Sequence, residues 1–296
     1  MRWQRYEAKF LINECQAAEI RRYCLDHLPR DSHASRRNGY EYPVNSLYLD
    51  SASRVLLQHT LQKRMNRYKL RVRTYRQCHE AWTDAPVFVE IKRRLNGLVH
   101  KTRARVGPEA VESLIWADCT LFDGRGAYDR ATEENVNAFL RLRNQIRAFP
   151  VVGTWYMREA YEGNSAERIR ITLDRGIHYG IWMRAQSEAT ETWAPVNAGG
   201  VVLEVKFTNT YPFWVAHMLR RLDVLRRGVC KYVLCAQAAG VWLRSRSVQE
   251  SFVTPGRLGP VCGHPAAGLA SAESSLPTCA PRARRGCPDQ AAEGLT

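Results

Sequence analysis

Polar and apolar residues alternate with a period of two in six separate stretches of this chain, the spacing of strands with one buried face. Lys69, Arg71 and Arg73 alternate with Leu70 and Val72; Arg5, Glu7 and Lys9 with Tyr6, Ala8 and Phe10; Glu90, Lys92 and Arg94 with Val89 and Ile91. Lys101, Arg103 and Arg105 alternate with Thr102, Ala104 and Val106; Arg168 and Arg170 with Ile169 and Ile171; Glu204 and Lys206 with Leu203, Val205 and Phe207. The apolar phase is ordinary, whereas the polar phase is almost wholly charged. If the six strands share one sheet, its apolar face packs on helices and its other face gathers like charges that repel one another unless an anion lies there. Rolled up, such a sheet becomes a barrel with a cationic bore.

The intervening segments predict helices and turns. Asn13 caps a helix to about Leu28 with Ile20, Cys24 and Leu28 on one face, and Pro29 stops it. A strand from Val44 to Asp50 precedes a helix from Ser53 to Gln62. Leu95-Asn96-Gly97 makes a tight turn that joins 87–94 to 98–106 as a hairpin, so their charged phases share one surface. Pro108 starts a helix to Trp116, and Thr132-Glu133-Glu134 opens another that stops at Pro150. Strands are expected at 151–160, 167–174 and 177–183, with turns at Glu162-Gly163-Asn164 and Arg175-Gly176. Pro212 opens an amphipathic helix from Phe213 to Arg227, closed by Gly228, with Cys230-Lys231-Tyr232 just beyond. The pattern predicts an α+β fold over residues 1–249: a closed antiparallel eight-stranded β-barrel, or tunnel, with helices packed outside. From about Glu250 the periodicity gives way to Pro, Gly, Ala, Ser and Arg, so residues 250–296 are expected to be a disordered tail.

Charge narrows the partner. A formal net charge of +15 calls for an anionic ligand. The chain holds seven lysines against thirty-seven arginines, and every lysine but Lys63 falls in the motifs above. A solvated face would use the two cations interchangeably; compact ammonium groups differ from planar forks when several crowd round one polyanion. The aromatic residues of these strands lie mostly in the opposite phase, which disfavours a nucleic-acid reader. There is no P-loop, and Gly124-Arg125-Gly126 lacks the rest of any nucleotide fingerprint. Nine cysteines, an odd number with no C-x-x-C pair, indicate reduced thiols and no zinc site. With no apolar run long enough to span a bilayer and a charged strand at the N-terminus, a cytoplasmic location is expected. Glu7, Glu90 and Glu204 each stand two residues before a lysine. In a cationic bore such carboxylates either neutralise neighbours or hold a Mg²⁺ or Mn²⁺ that bridges phosphate oxygens, and Glu204 is the first metal candidate.

Taken in order, Arg5-x-Glu7-x-Lys9, Arg71-x-Arg73, Glu90-x-Lys92, Lys101-x-Arg103, Tyr156-x-Arg158, Arg170, Glu204-x-Lys206 and Lys231-Tyr232 resemble the VTC (vacuolar transporter chaperone) polyphosphate polymerase domain. That domain is a branch of the CYTH, or triphosphate tunnel metalloenzyme, superfamily, and the resemblance covers about residues 1–235. It implies an eight-stranded tunnel, a divalent metal, and transfer of the ATP γ-phosphate to a polyphosphate chain. It further implies that Arg71, Arg73, Lys92, Arg158 and Arg170 act on the transferred phosphates, with Tyr156 near the nucleotide. Arg5, Lys9, Lys69, Lys101, Arg103, Lys206 and Lys231 would bind the chain, and Glu204, with Glu7 and Glu90, would hold the metal. The superfamily's ExExK signature is broken here: Arg5 replaces its first Glu, removing a metal ligand and adding a cation, which favours the polymerase branch. The chain resembles the free-standing bacterial form, without membrane or phosphate-sensing segments. The expected function is therefore a metal-dependent polyphosphate polymerase. The alternatives are a tripolyphosphatase or nucleoside triphosphatase of the same fold, or a non-enzymatic polyphosphate- or RNA-binding module.

Overall fold

The computed structural model describes residues 5–34, 39–76, 86–116, 122, 128–164, 168–181, 193–210 and 212–241; the expected tail lies outside them. Nine described strands form one antiparallel sheet: β1 (Arg5–Ile12), β2 (Glu41–Asp50), β3 (Arg67–Thr74), β4 (Val87–Leu95), β5 (Leu98–Val106), β6 (Phe149–Glu162), β7 (Arg170–Gly180), β8 (Trp193–Pro195) and β9 (Val201–Thr208). Their order is β1-β9-β7-β6-β2-β3-β4-β5, with β8 on β7. The helices are α1 (Glu14–His27), α2 (Val55–Leu61), α3 (Val111–Trp116), α4 (Arg130–Gln145), α5 (Phe213–Arg221) and α6 (Lys231–Ala238). Among the described residues no helix is long and apolar enough to cross a membrane.

The α+β class holds, but the closed barrel does not. Among the described residues β1 pairs only with β9 and β5 only with β4, so the hydrogen-bonded ladder is open at both ends. Both edge strands carry cations in the inward phase, Arg5 and Lys9 on β1 and Lys101 and Arg103 on β5, and like charges brought face to face across strands are unfavourable. Side chains reach across instead: the Lys92 ammonium of β4 lies 2.9 Å from the Glu7 carboxylate of β1.

Local chemistry explains most boundaries. Asn13 and Gln16 make a reciprocal capping box at the start of α1, at 2.8 and 3.0 Å. Asn96 and Gly97 both take positive φ, the requirement of a two-residue hairpin turn between β4 and β5. The turn expected at Arg175-Gly176 is a bulge within one continuous β7: Gly176 (φ +57°) and Ile177 stand against Tyr156 alone. Arg168, expected in a strand, precedes β7 at φ +45°. The helix predicted to Arg227 ends at Arg221, because Arg226 bridges to Phe10 of β1 and is drawn out straight. The sequence reading also missed α6 and β8.

The apolar phases pack as expected. Ala17, Ile20 and Cys24 of α1 meet Phe10, Ile171 and Leu203 in one cluster; Phe139 and Leu140 of α4 meet Leu70, Val89 and Val106 in another. Burial of roughly 1.5–3 kcal/mol per large side chain makes this phase set the register. A slip of one residue would carry the charged phase into the helices, so the same register turns every inner cation toward the opposite face.

Candidate functional site

The charged phases of β1, β3, β4, β6 and β9 line a cavity of about 520 Å³. Its wall carries fourteen lysines and arginines against two glutamates, and six of the chain's seven lysines belong to it. Lys63, the exception to the sequence pattern, lines it from the loop after α2, whereas Lys101 does not.

Three carboxylate stations organise these cations. The first is Glu90 of β4, fully enclosed and paired across strands with Arg71 on one side and Arg103 on the other. Arg71 lies 2.6 Å from its Oε2, Lys101 2.7 Å and Arg103 3.3 Å from its Oε1, and Arg73 4.0 Å from Oε2. Burial pushes this carboxyl up, but Arg71, Arg73 and Lys101 outweigh it and hold Glu90 far below the ordinary range. Arg71 and Arg73 nevertheless line the cavity, and the Arg73 Nε donates to Ser46 Oγ at 2.9 Å.

The second station is the pair Glu7 and Glu204. Lys9 joins them, its ammonium 3.2 Å from Glu7 and 2.8 Å from Glu204, and Lys206 lies 3.0 Å from Glu204. Burial opposes both charges of the Lys9–Glu204 pair; mutual attraction prevails, holding Lys9 above and Glu204 well below its usual range. Lys92 is different. Burial, with Lys9 and Lys206 beside it, pulls its ammonium down to about 7 despite Glu7.

The third station is Asp174 of β7, wholly buried, which accepts two hydrogen bonds from Arg158 (2.6 and 2.8 Å) and one from Lys231 (2.6 Å). Burial raises this carboxyl, but Arg158 and Lys231 bring it down to about 2. Lys231 is the first residue of α6 and stands 4.6 Å above the ring of Tyr156, so that helix delivers a cation to the cavity. Beside it, burial would raise the Cys230 thiol, but the Lys69 ammonium 3.0 Å away outweighs it and pulls the thiol down to about 7.

The structure thus gathers Glu7, Lys9, Lys69, Arg71, Arg73, Lys92, Tyr156, Arg158, Glu204, Lys206 and Lys231 round one space. Lys101 and Arg103 sit behind it on Glu90. Arg170 lies apart, 2.6 Å from Asp31 and 2.7 Å from Glu162. Arg5 stands in β1 opposite Thr208, in the phase of Glu7. Sequence reasoning gave no role to Tyr48, Arg67, Arg93, Arg226, Arg227 or Cys230, although all six line the cavity. Arg67 faces Arg94 across the β3–β4 ladder, a register that no tight turn fixes, because a long connection separates the two strands.

Among the described residues no three His, Cys, Asp or Glu side chains gather as a metal cage. A hard divalent cation that keeps water and phosphate ligands needs only one or two carboxylates, and Glu7 with Glu204 meets that requirement. No curated protein matches the chain. Among solved structures it is similar to the PH1819 protein of Pyrococcus horikoshii OT3, at 13% identity and a TM-score of 0.42, covering 79% of this chain and 99% of that one. It is also similar to HpAC1 of Hippeastrum, whose dominant activity is that of a triphosphatase, at 12% identity and a TM-score of 0.43, covering 80% and 96%. The VTC domain model matches residues 4–239, and the chain belongs to the VTC domain family.

Proposed function

We propose that this protein is a polyphosphate polymerase that transfers the γ-phosphate of ATP to a polyphosphate chain held in the cavity. The observation that carries this reading is the charge of the wall, fourteen cations against two carboxylates. A triphosphate with its metal brings only about two to three negative charges, so most of that excess would stay unmatched beside it. A threaded polyphosphate brings roughly one charge per unit along its length and matches the lining as it goes.

In this reading Arg71, Arg73, Lys92 and Arg158 surround the transferred phosphoryl group and stabilise the charge that spreads over its oxygens. Their carboxylate partners fix them in advance, so little reorganisation remains for the reaction itself. Lys9, Lys69, Lys206 and Lys231 hold neighbouring units in line, and Tyr156, under Lys231, borders the nucleotide. Arg5 and Arg170 are assigned to the chain's path beyond the cavity, with Lys101 and Arg103 supporting the inner row through Glu90. Glu204 with Glu7 would hold Mn²⁺ or Mg²⁺, which supplies charge neutralisation between phosphate oxygens when bound. No side-chain nucleophile is required.

The test is incubation with ATP and Mn²⁺, resolved on a gel for long chains and assayed for orthophosphate, beside competition by phosphate oligomers of increasing length. Long polymer is expected, with affinity climbing until the cavity is filled. Affinity already maximal at tripolyphosphate, with orthophosphate as the sole product, would assign the site to a triphosphatase.

A further inference from the structure

Three segments bring exposed cations to the solvent side of the cavity wall: the stretch 62–67 from α2 into β3, the β4–β5 turn with its flanks, 93–99, and the extended stretch 224–228 after α5. Each pairs arginines with one large aliphatic side chain held out in solvent. Met65 is 70% exposed between Arg64 and Arg67, Leu95 is 38% exposed beside Arg93 and Arg94, and Leu225 is 72% exposed beside Arg226 and Arg227. None of the three segments contains an aspartate or glutamate. Two of the arginines hydrogen-bond neutral side chains, Arg64 to Gln62 and Arg93 to Asn66. Phosphate chemistry in the cavity accounts for cations on its wall but gives the three aliphatic tips no use.

We infer that this side docks on an anionic lipid bilayer, with its arginines on the lipid phosphates and Met65, Leu95 and Leu225 entering the interface. Guanidinium groups bind phosphate oxygens in pairs, and basic residues near an anionic leaflet are drawn to it. Apolar tips beside such cations add burial at the boundary of headgroups and acyl chains. The arrangement suits a bilayer better than a protein. A protein interface needs a contiguous, close-packed apolar centre, whereas here the apolar groups lie on three separate segments. A deformable surface needs no matching relief.

The inference requires neither ATP nor turnover, so it stands or falls apart from the polymerase reading. The full chain is floated with phosphatidylcholine vesicles with and without phosphatidylglycerol, over a range of salt. Binding is expected to the anionic vesicles alone and to weaken as salt rises. The double change Met65→Ser with Leu225→Ser keeps every charge and should weaken vesicle binding about tenfold or more, since two aliphatic side chains no longer enter the interface. Its melting temperature and its turnover in solution should match those of the parent. If that variant melts early, Met65→Asp alone, which puts a repelling charge on the exposed tip, must release the vesicles. Equal binding to neutral and anionic vesicles, or unchanged binding of the aliphatic variants, overturns the inference. So does single-stranded RNA that displaces the vesicles and binds parent and variants alike, which would assign this side to nucleic acid.

Discussion

Glu90 and Glu204 are the same group in the inward phase of one sheet, yet Glu90 lies sealed behind the cavity wall and Glu204 forms part of it. Glu90 is sealed, and Arg71, Arg73, Lys101 and Arg103 converge on it. Glu204 faces the cavity with Glu7 beside it and Lys9 between them. The first can serve only to hold its cations, because an incoming ion would have to displace them. In the proposed reading the second pair exchanges lysines for a metal and phosphate, because it borders the space where both would enter. The thiols differ in the same way: Cys235, a buried residue of α6, is pushed up by burial to about 12, whereas Cys230 on the cavity wall falls to about 7.

The largest expected effect comes from breaking the sealed station. Glu90→Gln leaves four crowded cations without their carboxylate, and losing one partner of a buried network costs about 3–5 kcal/mol. A melt should show this loss directly; a melting temperature unchanged from the parent would refute the structural role of Glu90. Glu204→Gln should do the reverse. Turnover should fall about a hundredfold or more while folding and polyphosphate binding survive, since the group faces the cavity and its loss makes the wall more positive. Activity retained at saturating Mn²⁺ would make Glu204 an ion-pairing residue and move the metal to Glu7.

Lys92 sharpens the comparison through pH. With its ammonium at about 7, Lys92 loses the charge that would attract phosphate as pH rises through that value. Polyphosphate affinity should then fall by up to about tenfold per pH unit, with proton uptake on binding, and Lys92→Arg should flatten the profile. Calorimetry in buffers of different ionisation enthalpy measures the uptake. The sign for folding is opposite: because the folded value lies below the usual lysine range, Lys92 costs stability at low pH, and stability rises with pH from about 7 upward. The smallest effect concerns the thiols. Iodoacetamide near neutral pH should modify Cys230 while sparing Cys24 and Cys235, and Lys69→Met should slow that reaction about tenfold by removing the cation that favours the thiolate. Peptide mass mapping reads both sites, and equal rates for parent and variant would discount Lys69.

Alternation alone located the inner cations of β1, β3, β4, β5 and β9, because a side chain's face in a strand depends only on its position and the apolar phase must be buried. Capping and turn chemistry at Asn13 and Asn96-Gly97 was legible for the same local reason. Whether the sheet closes, where β7 bulges and that α6 exists were not legible, since each depends on contacts between distant segments. Alternation also made Glu90 and Glu204 look alike. Only the tertiary structure separated them, because one lies between two cation-bearing strands and the other faces the cavity, and a carboxylate's work is set by which charges reach it and whether the cavity does.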